Sequence, residues 1–246
     1  MFDYKAPPQL LAGRVILITG AGRGIGAAAA RAYAAHGAQV ILLGKTEANL
    51  RAVATTIAKA GHPEPLVYPL DLETATTAHY ETLEVRIDDQ FGRLDGLLHN
   101  ASLLGPRLTL DEIPDAEFAR VMQVNVNATF MLTRAMLPLL RRSTDASVVF
   151  TSSSVGRKGR AQWGVYAVSK FATEGLMQTL ADELQGTSQI RANSLNPGGT
   201  RTEMRAQAYP DENPERNPTP DEIMPVYLYL MGPDSAGVNG QAFDAR

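Results

Sequence analysis

Residues 15–26 read VILITGAGRGIG, an apolar run that continues directly into a glycine-rich turn. Residues 15–19 lack the alternating pattern of a strand with one exposed face, so they predict a strand buried on both faces. An alanine-rich segment follows the turn and predicts a helix from about residue 25 to residue 36. A strand, a glycine-rich turn and a helix in this order are typical of the first unit of a nucleotide-binding α/β fold.

The turn has the spacing Gly-x-x-x-Gly-x-Gly rather than the commoner Gly-x-Gly-x-x-Gly. Because glycine has no Cβ, backbone amides can approach a pyrophosphate at the helix N-terminus, where the helix dipole also favours negative charge. Such a turn can also be a tight connection without a ligand, but its place between strand and helix favours phosphate binding. The predicted contact residues are Gly20, Gly22, Arg23, Gly24, Ile25 and Gly26.

Six further apolar runs predict strands, and helical patterns separate most of them. The strands are predicted at residues 40–43, 66–70, 96–100, 147–151, 190–195 and 242–244. The helices are predicted after an N-cap at Thr46, from Asp71 to about residue 91, at about 115–141 and 166–184, and from a start at residues 219–222. This alternation predicts the α/β class: a single doubly wound Rossmann-type domain over residues 1–246, with a mostly or wholly parallel sheet of about seven strands.

Two segments depart from this alternation. Residues 1–10 form an N-terminal extension that precedes the first strand. Residues 201–218 are polar and contain three prolines. They are either a surface excursion or a candidate substrate lid, because long loops in compact domains are often functional.

The composition excludes several classes of protein. With 246 residues, of which 44% are hydrophobic and 20% charged, the chain can bury one sizeable core and is not typical of disordered proteins. A net charge of −3 argues against nucleic acid as a partner. The absence of cysteine excludes disulfides and Cys-ligated metals, and we expect no metal site. Because neither a signal peptide nor a membrane span is evident, we expect a cytoplasmic protein without membrane contact.

The residues after the second predicted strand bear on the choice of dinucleotide. An acidic side chain there binds the free ribose 2′-hydroxyl of NAD, whereas a basic one suits the 2′-phosphate of NADP. The chain has Lys45 at this point and no carboxylate before Glu47, and Arg23 adds a second positive charge from the glycine turn. Either cation alone could be an ordinary solvated surface charge. Together they favour NADP(H) over NAD(H).

Tyr166 and Lys170 are four residues apart in a predicted helix, so their side chains share one helix face. A nearby ammonium favours the phenolate, and we therefore expect it to lower the tyrosine pKa from its ordinary value of about 10. A phenol with a lowered pKa can donate and accept a proton nearer neutral pH. This spacing alone is a weak signal, because chance also produces it.

Several short motifs resemble, in order and approximate spacing, those of the short-chain dehydrogenase/reductase family over essentially residues 11–244. They are residues 19–26, Asn100 with Ala101, Asn125, Ser153, Tyr166 with Lys170, and Asn196 with Pro197 and Gly198. Residues 124–130 and 196–202 also resemble the bacterial YciK-type branch of that family. Each motif is weak alone, but their occurrence together in register makes coincidence negligible.

The resemblance implies a catalytic set of four residues. Tyr166 would donate a proton to the substrate carbonyl oxygen, and Lys170 would hold the nicotinamide ribose hydroxyls while lowering the tyrosine pKa. Ser153, thirteen residues before Tyr166, would hydrogen-bond the substrate oxygen, although both of its neighbours are also serines. Asn125 would hold a water that relays protons to Lys170, or it is a tolerated amide inside a helix.

The resemblance also implies further cofactor contacts. Asp71 and Leu72 would recognise the adenine ring, although Asp71 could equally cap the next helix. The others are Asn100 and Ala101 at the end of the fourth strand, Pro197 and Gly198 facing the nicotinamide, and Thr200 and Thr202 near its carboxamide and the pyrophosphate. His99 and Ser102 stand where the family usually has Asn and Gly, and we expect His99 to be a structural variation rather than a new base. Trp163, the only tryptophan, either lines the substrate pocket or packs in the core.

These features predict an oxidoreductase that transfers a hydride between NADP(H) and a small-molecule carbonyl or alcohol substrate. The resemblance further implies a homodimer or homotetramer. A dinucleotide-binding sensor or scaffold with little turnover is the alternative, but a binding protein needs neither Ser153 nor Tyr166. A related epimerase or dehydratase would usually have a differently spaced glycine turn and a larger C-terminal substrate region.

Overall fold

The computed structural model describes residues 2–246 and contains seven strands. They are β1 Val15–Thr19, β2 Gln39–Gly44, β3 Leu66–Pro69, β4 Gly96–His99, β5 Ala146–Thr151, β6 Ile190–Asn196 and β7 Ala242–Asp244. All neighbouring strands are parallel, and their order in the sheet is β3-β2-β1-β4-β5-β6-β7. The predicted single α/β domain with a seven-stranded sheet is therefore confirmed, and the sheet is wholly parallel.

Within residues 2–246, eight α-helices connect the strands. They are α1 Gly24–Ala35, α2 Glu47–Lys59, α3 Thr77–Phe91, α4 Asp115–Met122, α5 Ala128–Leu140, α6 Gly164–Leu184, α7 Glu203–Ala208 and α8 Met224–Met231. The two faces of the sheet carry separate apolar cores, one packed mainly with α1, α2 and α8 and the other with α3, α5 and α6. Because both faces are covered, β1, β4 and β5 are buried along their whole length.

The centre of the sheet is where the chain reverses its direction of winding. Ile16 of β1 pairs with Val40 of β2 on one side and with Gly96 of β4 on the other. The C-terminal ends of β1 and β4 therefore border a crevice between oppositely directed connections. In open α/β sheets, ligands bind at such a switch point.

Three helix predictions need correction. The third helix does not start at Asp71 but at Thr77, because Thr76 and His79 form a reciprocal capping arrangement there. The single helix predicted over 115–141 is interrupted by a π turn at Gln123–Asn127. The sixth helix begins at Gly164, two residues before Tyr166. Periodicity locates helices well but fixes their ends and internal irregularities poorly.

The N-terminal extension packs against the C-terminal strand. The Phe2 amide donates to the Ala245 carbonyl at 3.0 Å, and the aromatic rings of Phe2 and Tyr4 contact Tyr229 and Phe243. No helix in the described part of the chain, residues 2–246, is both long and apolar enough to cross a membrane.

Candidate active site

The glycine turn joins β1 to the first turn of α1 at the switch point. Gly20 and Gly24 have φ values of +66° and +53°, a backbone region that favours glycine. Gly26 requires glycine for a different reason, since a Cβ at this position would lie 2.3 Å from the Gly20 carbonyl oxygen. The first turn of α1 has no acidic residue and no side-chain cap, so its amides remain available to an anion. This donor set fits a dinucleotide pyrophosphate.

Thr19 ties the glycine turn to the end of β4. Its Oγ1 accepts hydrogen bonds from the amides of Asn100 and Ala101, at 2.9 and 3.0 Å. The Asn100 side chain donates back to the Thr19 carbonyl at 3.2 Å. The structure thus brings Asn100 and Ala101 against the predicted phosphate-binding turn, and they hold the two central strand ends together.

The cations expected at the adenosine end both carry an acidic partner. The Lys45 ammonium lies 2.8 Å from the Asp71 carboxylate, and Arg23 forms an ion pair with Glu203. Burial alone would raise the pKa of Asp71, but hydrogen bonds from Lys45 and the Glu73 amide bring it below its ordinary value. Asp71 is not a helix cap, because its Oδ1 accepts from the Glu73 amide in a local turn. Lys45 and Asp71 therefore lie side by side at the edge of the predicted adenosine site.

The loop after β6 approaches the same turn from the other side. The Gly198 amide donates to the Asn196 side-chain oxygen at 3.0 Å, and the Thr200 hydroxyl donates to the Pro197 carbonyl at 3.2 Å. Thr202 borders Gly24, where an added Cβ would meet its methyl group at 3.5 Å. The predicted residues of this loop and those of the glycine turn thus form opposite sides of one crevice.

Tyr166 is 8% exposed, on the wall of that crevice. Burial raises the pKa of Tyr166 to about 12, while the Ser153 and Ser102 hydroxyls act in the opposite direction. Both hydroxyls lie beside the phenol, although neither reaches full hydrogen-bond geometry with it. The expected lowering of the tyrosine pKa by Lys170 is therefore wrong for the chain alone, because the cost of burying a phenolate exceeds the stabilisation around it.

Lys170 is buried beneath Tyr166. Its ammonium lies 5.5 Å from the centroid of the Tyr166 ring and donates to the Thr151 carbonyl at 2.8 Å. Burial lowers the pKa of Lys170 to about 8, and the Glu174 carboxylate opposes that shift. Glu174 is itself buried and accepts from the Ser194 hydroxyl at 2.7 Å. Lys170 is therefore mostly charged at neutral pH. The Glu174 carboxylate, one helix turn away, favours that charge.

The three consecutive serines occupy distinct environments. Ser152 is buried and its amide binds the Leu195 carbonyl at 2.7 Å, whereas Ser154 is exposed. Of these three, only Ser153 faces the Tyr166 phenol. Ser102 was not predicted as a site residue, yet its hydroxyl also lies at the phenol. Its position directly after Asn100 and Ala101, at a strand end, was the signal available in the sequence.

Asn125 lies in the π turn between α4 and α5. Its side-chain amide donates to the Leu103 carbonyl and to the Ser169 hydroxyl, both at 2.9 Å, and its oxygen accepts from the Leu103 amide at 2.8 Å. Ser169 in turn donates to the Tyr166 carbonyl at 2.8 Å. Asn125 therefore links α6 to the loop after β4. A π turn inside a helix is often found at functional sites.

His99 and Trp163 have different surroundings. His99 is buried, stacks on Phe150 and hydrogen-bonds Thr133 at 2.8 Å, and burial lowers its pKa to about 3. It is therefore a neutral core residue, in agreement with the expectation that it is not a new base. Trp163 packs against Tyr166 with ring centroids 5.8 Å apart, and thus lies next to the phenol.

Residues 201–218 fold back over the side of the crevice where Tyr166 lies. They contain α7 and a short 3₁₀ turn at Pro214–Arg216, and the Arg205 guanidinium binds the Glu212 carboxylate through two bonds of 2.6 Å. Ala208 and Tyr209 pack in one apolar cluster with Trp163 and Tyr166. This segment therefore covers the side of the crevice that faces the phenol.

Comparisons with known proteins agree with this geometry. The sequence profile of the family described as short chain dehydrogenase matches residues 14–213. The uncharacterized oxidoreductase YciK of Escherichia coli K12 is 54% identical over 243 residues, covering 99% of this chain and 96% of that protein. A short chain dehydrogenase structure from Pseudomonas syringae is 70% identical with a TM-score of 0.99 and full coverage of both chains.

A second solved structure was determined with a cofactor. It is a short chain dehydrogenase from Shigella flexneri complexed with NADP, 54% identical with a TM-score of 0.95, covering 97% of this chain and 99% of that one. The resemblance seen in the sequence, including that to the YciK-type branch, is confirmed. The chain is a member of the short-chain dehydrogenase family of oxidoreductases.

Proposed function

We propose that this chain reduces a carbonyl compound with NADPH, or carries out the reverse oxidation, with Tyr166 as general acid and base. The observation that carries the proposal is the constellation around the phenol: two serine hydroxyls beside it and the Lys170 ammonium 5.5 Å from its ring. The bound cofactor supplies the hydride. The protein supplies the proton and stabilises the charge that develops on the substrate oxygen.

In the direction of reduction, the Tyr166 hydroxyl donates its proton to the carbonyl oxygen and becomes a phenolate. Because burial raises the pKa of Tyr166 to about 12 even with the Ser153 and Ser102 hydroxyls beside the phenol, this phenolate needs further stabilisation. The Lys170 cation, 5.5 Å from the centre of the ring, provides it. Ser153 also donates to the substrate oxygen, while Asn125 keeps α6 in position and holds the water that connects Lys170 to solvent.

NADP(H) is the preferred dinucleotide in this proposal. Lys45 and Arg23 stand at the adenosine end, and both of their ion pairs are largely solvent-exposed. Exposed pairs contribute little to stability, so either cation can turn to a 2′-phosphate at low cost. The contacts assigned to the cofactor are those of the glycine turn, Lys45, Asp71, Leu72, Asn100, Ala101, Tyr166, Lys170, Pro197, Gly198, Thr200 and Thr202. The complex of the Shigella flexneri relative with NADP supports this assignment.

We further propose that residues 201–218 act as the substrate lid of a single catalytic domain and that the enzyme is a homodimer or homotetramer. Exposed apolar side chains on neighbouring helices support the oligomer. They are Phe118 on α4, Phe130 on α5, and Val168 and Phe171 on α6. Val168 and Phe171 are three residues apart, so they share one face of α6 and form part of a common apolar surface.

The proposal is tested by following nicotinamide absorbance with NADPH and a panel of aldehydes and ketones. We expect turnover by the native enzyme and a loss of at least about a hundredfold in Tyr166→Phe, because proton transfer typically contributes 10²–10⁴-fold. NADPH binding should be nearly unchanged in that variant, and Tyr68→Phe is the matched control. Tight NADPH binding without turnover of any carbonyl or alcohol would instead favour the sensor.

A further inference from the structure

A cluster of cationic and aromatic side chains surrounds Trp163, next to Tyr166. The Arg107 guanidinium carbon lies 5.0 Å from the ring centroid of Trp163 and 5.0 Å from that of Tyr209, and these two centroids are 5.9 Å apart, so the cation contacts both neighbouring rings from one side. Trp163 also packs on Tyr166. Trp163 therefore contacts both the proposed proton donor and this cation.

The cation has no anionic partner in the described part of the chain. Among residues 2–246, no carboxylate lies within 4 Å of Arg107 or of Arg160, whose guanidinium reaches the Tyr209 hydroxyl at 3.4 Å. Arg107 donates to the Ala208 carbonyl through one nitrogen, and its Nε is buried without a partner. By contrast, Arg205 next to the same Tyr209 ring is neutralised by Glu212.

The remaining orphaned groups nearby are also donors. Trp163 is 8% exposed and its Nε1 is buried without a hydrogen-bond partner, and the Ser102 hydroxyl beside the phenol is likewise unpartnered within residues 2–246. A guanidinium and an indole N–H can only donate, so the free Nε of Arg107 and the indole nitrogen of Trp163 both require an acceptor. Buried unpaired donors are costly, and a ligand that brings negatively charged oxygens would satisfy them.

We propose that the substrate is a carbonyl compound that also carries a carboxylate or phosphate group, which Arg107 binds beside Trp163 while the carbonyl lies at Tyr166. A planar guanidinium offers two parallel N–H groups to either anion, and its contacts with both rings restrict its position. Arg160 contributes a second positive charge at the rim. The assignment rests on the carbonyl reduction proposed above and names the substrate class.

The kinetic test uses matched aldehydes with NADPH: p-formylbenzoate and p-formylcinnamate, their methyl esters, and p-formylphenyl phosphate. We expect kcat/KM for the better carboxylate to exceed that for its ester by at least about tenfold, since hydrogen bonds to charged groups are the stronger ones. The phosphate compound distinguishes the two anions. In Arg107→Met, which keeps an apolar stem against the rings, this acid-to-ester ratio should fall to about one, whereas Arg216→Gln, an exposed arginine on residues 201–218, should preserve it.

A binding test separates failure of this inference from failure of the proposed reaction. Trp163 is the only tryptophan, so its fluorescence reports on the site directly. The enzyme saturated with NADP⁺ is titrated with hexanoate, hexyl phosphate and hexanamide. A response to either anion but not to the amide, lost in Arg107→Met and partly retained in Arg107→Lys, supports the anion site even if no aldehyde is reduced. Equal kcat/KM for acids and esters, or an equal response to all three ligands, overturns the anion site while leaving carbonyl reduction intact.

If Arg107→Met does not fold, Arg107→Lys and Arg160→Gln must each lower the acid-to-ester ratio. An unchanged ratio in both variants overturns the anion site.

Discussion

The Lys170 ammonium lies 5.5 Å from the centroid of the Tyr166 ring, and the hydrogen bond it makes goes to the Thr151 carbonyl. The pair therefore acts through space rather than through a direct bond. In the chain alone, burial raises the pKa of Tyr166 to about 12 and lowers that of Lys170 to about 8. The two shifts have one cause, because a low-dielectric site disfavours the charged form of either group.

The first prediction concerns pH. The Lys170 cation is present below pH 8 and is lost as the pH rises through about 8, whereas Tyr166 keeps its proton up to about 12. The kcat/KM for NADPH, which reports ionisations of the free enzyme, should therefore fall above about pH 8. In Lys170→Arg the fall should move upward by more than one pH unit, because a guanidinium stays charged. A profile that is flat to pH 10, or unmoved in Lys170→Arg, would contradict the assignment.

The second prediction concerns the dinucleotide. Replacing Lys45 and Arg23 together by serine removes both cations from the adenosine end, so the Kd of NADPH should rise about tenfold or more while that of NADH changes less than about threefold. Isothermal titration of both cofactors measures the difference. Arg51→Ser, which removes an exposed cation from α2, is the control. Equal losses for the two cofactors would exclude the 2′-phosphate contact.

The third prediction concerns the segment 201–218. The Glu212 carboxylate binds the Arg205 guanidinium and accepts from the Asn217 side chain at 2.8 Å. Glu212→Gln weakens these contacts and loosens the segment. The KM for the carbonyl substrate should therefore rise about three- to tenfold while the Kd of NADPH is nearly unchanged. The control is Glu215→Gln, an exposed position on the same segment. A larger effect on cofactor affinity than on KM would mean that this segment is not a substrate lid.

The fourth prediction concerns stability. An alanine Cβ at position 26 would lie 2.3 Å from the Gly20 carbonyl oxygen and 2.6 Å from the Asn100 side chain. We expect Gly26→Ala to lower the free energy of unfolding by about 1–3 kcal/mol, the usual cost of overpacking. Gly175 lies inside α6 with open space around it, so Gly175→Ala should be neutral or slightly stabilising. Urea denaturation of both variants measures the contrast, and equal stabilities would show that the turn relaxes freely.

The fifth prediction concerns the oligomer. Phe171 on α6 is 47% exposed and Val85 on α3 is 54% exposed. If α6 forms the subunit interface, Phe171→Asp should shift the enzyme toward monomer in analytical ultracentrifugation, because an interface core excludes an unpaired charge. Val85→Asp should leave the assembly unchanged. A monomeric native protein, or an equal response of both variants, would refute this interface.

The helix boundaries and the ion pairs show where prediction from sequence was limited. The cap at Thr76 uses His79 where a capping box usually has Glu or Gln, so it gave no familiar signal. The π turn at Asn125 leaves the apolar periodicity of the sequence nearly unaltered. It nevertheless changes which groups the Asn125 side chain contacts. Arg23 was recognised as a cation, but its partner Glu203 lies 180 residues away, and separations of that size cannot be read from local pattern.

The sequence by itself determined the α/β fold, the glycine turn and the candidate catalytic set of Tyr166, Lys170, Ser153 and Asn125. These features depend on local order, since hydrophobic runs, glycine positions and the four-residue spacing on a helix are properties of neighbours along the chain. Only the tertiary structure decided the direction of the tyrosine pKa, the place of Ser102 at the phenol, and the position of Arg107 against Trp163 and Tyr209 with no carboxylate partner among residues 2–246. Each of these depends on burial and on groups brought together from distant segments, and burial here outweighs the effect of the Ser153 and Ser102 hydroxyls on the pKa of Tyr166.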